Sequence, residues 1–149
     1  MPAWSVVVKS LIKWGPVAFT AARRYYPYIQ NSPAAKKFVG QLAEQTTKIP
    51  DRLSPDLRAR RKIAAVRQSL AEAAVLGVDP AVYTGWRHEL DELDRTLTLS
   101  QAASRSRRRA LVREVNGRLD VLVGAILPAL AGPRRSSATL PPELPPPPR

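Results

Sequence analysis

Residues 54–80, SPDLRARRKIAAVRQSLAEAAVLGVDP, decide the fold. Ser54-Pro55-Asp56 is a helix start: a hydroxyl N-cap, a proline at the first helical position and an acid in the first turn. Ala59, Ile63, Val66, Leu70 and Ala73 then repeat at alternating steps of four and three, a single apolar stripe. Gly77 ends that helix as a C′ residue, and Asp79-Pro80 opens another by the same cap-plus-proline logic. Val82, Trp86, Leu90, Leu93 and Leu97 line one face of the second helix, with Tyr83 at its edge. With only Val78 between Gly77 and the new cap, the two helices must be antiparallel neighbours.

Outward from this hairpin, Ser100 to about Leu127 reads as a long third helix with Leu111, Val115, Leu119, Leu122 and Ile126 as its stripe and Val112 alongside. Arg108 falls in the sector of Val115 and Ile126. The stripe therefore stops short of it, and the helix either overhangs its neighbours or begins near Ser106. The expected fold is all-α: a three-helix bundle over residues 54–131 around the central antiparallel hairpin. Short N-terminal amphipathic helices (residues 1–50) precede it and a disordered Pro-rich tail (residues 132–149) follows. About 78 residues, many of them Ala, make a small core that needs the N-terminal helices or a second copy of the chain.

The N-terminal third differs in kind. Residues 3–14 put Trp4, Val7, Val8, Leu11, Ile12 and Trp14 on one broad face and Lys9 and Lys13 opposite. Gly15-Pro16 breaks the pattern. A second short helix fits Pro16 to before Pro27, and a third fits Pro33 to Lys48. Two readings of the first helix stay open. In one, its face packs on the chain's own helices. In the other, it lies on an anionic membrane surface through Trp4, Val7, Val8, Lys9, Leu11, Lys13 and Trp14, with Arg23 and Arg24 adding attraction, or else fills the groove of a protein partner. Lys9 and Lys13 interrupt the apolar run, unlike a secretory signal. The longest uncharged stretch, residues 121–133, is too short to span a bilayer. The expected location is cytoplasmic, or the inner face of the membrane.

Charge sharpens these alternatives. The 149 residues carry 24 Lys+Arg against 12 Asp+Glu, a net +12. Residues 1–50 and 101–149 each hold +6, while residues 51–100 balance to zero; the first acid is Glu44. In the last third, Arg105, Arg107, Arg108 and Arg109 crowd a helix N-terminus, where the macrodipole disfavours cations. They call for a counter-charge: a phosphate-type anion, or the chain's own acidic face at Glu89–Asp94. Arg58, Arg61 and Lys62 on the first hairpin helix extend the candidate anion-binding set, with a plain solvated face as the alternative. Nucleic acid is the obvious external polyanion. The chain has no helix-turn-helix, zinc-finger or aromatic RNA-reading pattern, so contact would be to backbone phosphate and non-specific.

Catalysis is not expected. There is no Cys and one His, which leaves no thiol nucleophile and no two-His metal site. His88 stands opposite the apolar stripe in His88-Glu89-Leu90-Asp91-Glu92-Leu93-Asp94. Pairs such as Arg87–Asp91, Asp91–Arg95 and Glu92–Arg95 make that run a salt-bridged surface. No cofactor is implied. The Pro-rich tail reads as a plain disordered end or a docking peptide. Lys13-Trp14-Gly15-Pro16 ahead of Ala/Arg-rich helices resembles small uncharacterised helical proteins of GC-rich actinobacteria, a likeness that brings no function with it.

Overall fold

The computed structural model describes residues 11–74 and 76–131. Among them the chain is all-α, with no strand. In chain order the helices are α1 (Pro16–Arg24), α2 (Tyr26–Asn31), α3 (Pro33–Thr47), α4 (Pro55–Ala74), α5 (Pro80–Ser100) and α6 (Arg105–Ala131). Leu11 and Ile12, ahead of α1, are also helical.

Prolines punctuate the order. The first five helices each begin at a proline or one residue before one, where the missing N–H is not needed and φ is already set. Asp79 caps α5 by accepting from the Ala81 N–H at 2.9 Å. Gly77 has φ +93° and makes the turn between α4 and α5, in a region that only glycine enters without strain. Ser32 serves two helices. Its hydroxyl accepts from the Ala35 N–H of α3 and donates to the Leu130 carbonyl near the end of α6. The long helix also runs through Pro128, beyond the expected end near Leu127.

Helix α6 is the axis of the molecule. It touches each of the other five, most extensively α1 and α5, while α3 lies along α4. One continuous cluster of buried side chains joins Leu11, Trp14, Phe38 and Leu42 from the N-terminal part to Ile63, Leu70, Leu93, Leu119 and Ile126. Of the two covers expected for the small core, the N-terminal helices supply one: their buried side chains join those of α4, α5 and α6. The second half of α5 buries Leu90, Leu93 and Leu97 as the stripe requires, but Val82 is 40% exposed and Trp86 only partly covered, so the stripe outruns the core.

Of the two expected starts for α6, the structure has the later one, near Ser106. Ser100 is the last residue of α5, and α6 starts at Arg105 after the connection 101–104. Ser104 caps it, its hydroxyl accepting from the Arg107 N–H at 3.3 Å. The short turn brings Arg108 back over the end of the preceding helix.

Candidate functional site

Two groups of residues were expected to meet an anionic surface, and the structure treats them differently. In the N-terminal group, Leu11 and Trp14 are only 1% and 3% exposed. The Trp14 indole N–H donates to the Thr46 hydroxyl at 2.9 Å, and that hydroxyl donates to the Leu42 carbonyl at 2.6 Å. Neither side chain is available to a membrane, so their assignment to a membrane face is corrected. Their apolar surface and the indole N–H are satisfied inside the protein. Lys13, Arg23 and Arg24 are exposed, Arg23 lying over the Phe19 ring at 5.7 Å. Trp4, Val7, Val8 and Lys9 lie outside the described residues. No helix among the described residues is long and apolar enough to cross a membrane.

The turn at Lys13-Trp14-Gly15-Pro16 has a specific structural task. Asp120 of α6, 6% exposed, accepts from the backbone N–H groups of Val17 (3.1 Å) and Ala18 (2.7 Å). It therefore caps α1 from another helix, in place of the side chain that Gly15 lacks. Gly15 has φ +127°, and a Cβ there would stand 2.5 Å from the Asp120 carboxylate. One turn further along α6, a Cβ on Gly124 would meet Val17 at 2.6 Å. Glycine is needed at both points because the helices approach this closely. Lys62 belongs to the same cluster. It donates to the Lys13 carbonyl at 3.2 Å and sits 5.6 Å from the centre of the Trp14 ring. Burial is the main cause that lowers its pKa, with Arg58 and Lys13 adding to the effect and Asp120 opposing it. Lys62, expected to project into solvent for an anion, is instead turned onto the N-terminal segment.

The acidic face of α5 is occupied. Arg67 of α4 binds Asp91 at 2.7 Å and reaches Asp94 at 4.0 Å, Arg60 binds Asp94 at 3.1 Å, and Arg118 of α6 grips Glu89 through two hydrogen bonds of 3.1 and 3.0 Å. Of the pairs expected within the helix, Glu92–Arg95 forms at 2.7 Å. Asp91 turns instead to Arg67, which holds its carboxyl below the usual range, and Arg87 lies over the Tyr83 ring. His88 is exposed. The acidic face is therefore not the counter-charge for the arginines at the start of α6.

Those arginines divide. Arg108 donates from Nε to the Ser100 carbonyl (3.2 Å) and from Nη2 to the Gln101 carbonyl (2.9 Å). A cation belongs at such a helix C-terminus, where carbonyls lack partners. Arg105, Arg107, Arg109 and Arg113 are exposed, and no carboxylate among the described residues lies within ion-pair distance of them. Arg105, Arg109 and Arg113 recur every four residues and share one side of α6. They face a cleft of about 500 Å³ between α6 and the start of α4, whose other wall is Ser54, Pro55 and Asp56. Four arginines and one acid line it. Asp56 is held ionised, chiefly by the Ser54 hydroxyl and also by backbone N–H groups and Arg108. At the inner end, the Asn116 side-chain oxygen is buried without a hydrogen-bond partner. Arg58 lies near Lys62, and Arg61 is exposed on α4; neither lines the cleft.

Arg113 and Asn116 were missed in the sequence, although the four-residue step from Arg105 through Arg109 reaches Arg113. Asp120 had a signal too: it is the lone acid in the apolar run from Leu119 to Val123. No group of three or more His, Cys, Asp or Glu placed to hold a metal occurs among the described residues. No protein family, curated protein or solved structure matches the chain.

Proposed function

We propose that this protein is a non-catalytic helical binding protein for phosphate-rich polyanions, contacting the nucleic-acid backbone through Arg105, Arg109 and Arg113 without reading base sequence. One observation carries the reading. Arg60, Arg67 and Arg118 each have a carboxylate, and Arg108 has two carbonyls, whereas no carboxylate among the described residues lies within ion-pair distance of the Arg105–Arg109–Arg113 row. Like charges at four-residue spacing destabilise a helix, as do cations in its first turn. A row that weakens its own helix is accounted for by a ligand it serves. The scaffold in this proposal is the bundle of α4, α5 and α6, with α1–α3 closing its core. The test is binding of a labelled duplex at physiological salt by the chain and by the variant with Arg105, Arg109 and Arg113 changed to Gln. The reading requires the variant to lose binding; undiminished binding would remove these residues from the role.

A second reading, a scaffold or adaptor held peripherally at an anionic membrane, keeps one supporting observation. Ile12 and Val17 are 56% and 43% exposed beside Lys13. With Leu11 and Trp14 withdrawn, that attachment rests on Ile12, Val17 and the segment before Leu11. Co-sedimentation with vesicles containing anionic lipid tests it: Ile12→Ser with Val17→Ser should weaken binding several-fold, and an unchanged fraction bound rejects this attachment.

A further inference from the structure

We infer that the cleft between α4 and α6 takes a single linear phosphate chain, as carried by single-stranded nucleic acid or inorganic polyphosphate, in preference to a duplex. This rests on the polyanion reading above and specifies its ligand.

The row of cations sets the length. Arg105, Arg109 and Arg113 rise about 6 Å per step, so the three guanidinium groups span roughly 12 Å along α6. One phosphate cannot engage all three; a row of phosphates can. The second wall sets the width. Ser54, Pro55 and Asp56 at the start of α4 face the row across a furrow between two packed helices, whose axes lie about 10 Å apart. That admits a file of phosphate groups and excludes a base pair. A duplex presents its phosphates on a broad convex surface, which could touch the rim but not follow the floor.

The helix ends do not supply the attraction. At the start of α4 the Asp56 carboxylate already stands in the first turn, and at the start of α6 Ser104 takes the Arg107 N–H. Side chains are left. Arg105, Arg109 and Arg113 offer guanidinium forks suited to phosphate oxygens. Arg108 is hydrogen-bonded to the carbonyls of Ser100 and Gln101 and adds its charge at the cleft wall. Asn116 ends the lining on α6, three residues beyond Arg113, with its side-chain oxygen buried out of a ligand's reach. No aromatic side chain lines the cleft, so bases have nothing to stack on and would stay outside.

Preference for the single strand is diagnostic because bulk electrostatics favours the opposite order. Duplex DNA has the higher charge density, and its affinity for a merely basic surface is correspondingly greater. Fluorescence anisotropy at 100 mM NaCl should compare labelled dT20, dA20 and a 20-base-pair duplex, with inorganic polyphosphate as competitor. Expected are equal affinities for dT20 and dA20, each at least several-fold tighter than the duplex, and displacement by polyphosphate. Three phosphate contacts on a single strand give a slope of about −2 in log affinity against log salt, or about a twentyfold loss between 50 and 200 mM. If polyphosphate binds more tightly per phosphate than dT20, it is the better source of the chain; the reverse order assigns nucleic acid. The Arg105→Gln, Arg109→Gln, Arg113→Gln variant should lose these affinities at least tenfold with its helical circular dichroism unchanged, and Lys at the same three positions should restore most of the salt slope. A duplex bound as tightly as dT20, with both lost in the Gln variant, would overturn the single-chain cleft and leave the polyanion reading standing. A Gln variant that binds dT20 like the parent would overturn both.

Discussion

The first and last thirds of the chain carry equal net charge, and the basic residues of the N-terminal third and of the start of α6 have opposite fates. At the N-terminal end the amphipathic residues turn inward. Trp14 is buried against Thr46, Lys62 covers its ring, and Asp120 holds the turn at Gly15 on α6. At the start of α6 three arginines in a row look onto a cleft with no carboxylate among the described residues within ion-pair distance: Glu89, Asp91 and Asp94 of α5 are bound to Arg118, Arg67 and Arg60, and Asp56 alone stands on the opposite wall. The lesson is that net charge does not locate a site. What separates structural from recruiting cations is whether the fold has already provided each with an acceptor.

If that division is right, substitutions at the two ends should fall into separate classes, and the N-terminal ones should give the largest effects on stability. Trp14→Ala removes a buried ring and the donor to the Thr46 hydroxyl, and should cost about 3–5 kcal/mol in urea unfolding; a loss under about 1 kcal/mol would mean that the segment is not part of the core. Asp120→Ala leaves the buried Ala18 N–H and the half-buried Val17 N–H without their acceptor and should cost about 2–3 kcal/mol. Asp120→Asn, which keeps an acceptor oxygen, should recover part of it.

The α6 row should behave inversely. Replacing Arg105, Arg109 and Arg113 by Gln removes two like-charge pairs and a cation from the first turn. Stability should hold or rise by up to about 1 kcal/mol, as read from the urea midpoint. A clear loss would show that these side chains support the fold and would erase the distinction between the two ends.

The smallest effect concerns the acid of the cleft. Asp56 has its pKa lowered below 3.8, first by the Ser54 hydroxyl. A carboxyl depressed in the folded state contributes stability that is present above the unfolded value and is lost as pH falls through the folded one. Ser54→Ala should therefore move the Asp56 titration, followed by carboxyl-carbon NMR, upward toward 3.8, lower stability above that pH and flatten the part of the acid limb that Asp56 contributes. An unmoved titration would assign the depression to other groups.

Much of the fold was legible because it is written locally. Ser54-Pro55-Asp56, Gly77 and Asp79-Pro80 mark the hairpin with caps whose chemistry does not depend on distant residues. The apolar side of residues 3–14 was also visible, but an amphipathic pattern says that a face is covered without saying by what, and Leu11 and Trp14 took the intramolecular cover. Longer-range pairings were harder to read. Helical spacing suggested partners for Asp91 within α5, whereas the nearer cation in space is Arg67 of α4. Arg108 was grouped with its neighbours in sequence because nothing local shows that the 101–104 connection returns it to the end of α5. Asp120 could have been singled out as an acid inside an apolar run; its partners, the N–H groups of Val17 and Ala18, are more than a hundred residues away.

The central claim is that the unpaired row on α6, and not the basic N-terminal third, recruits the polyanion. The most direct measurement is the salt dependence of dT20 binding by the parent chain and by two triple variants, Arg105→Gln with Arg109→Gln and Arg113→Gln, and Lys13→Gln with Arg23→Gln and Arg24→Gln. The account predicts a slope of about −2 for the parent, a slope near zero for the first variant and a parental slope for the second. A flat slope confined to the N-terminal variant would contradict it.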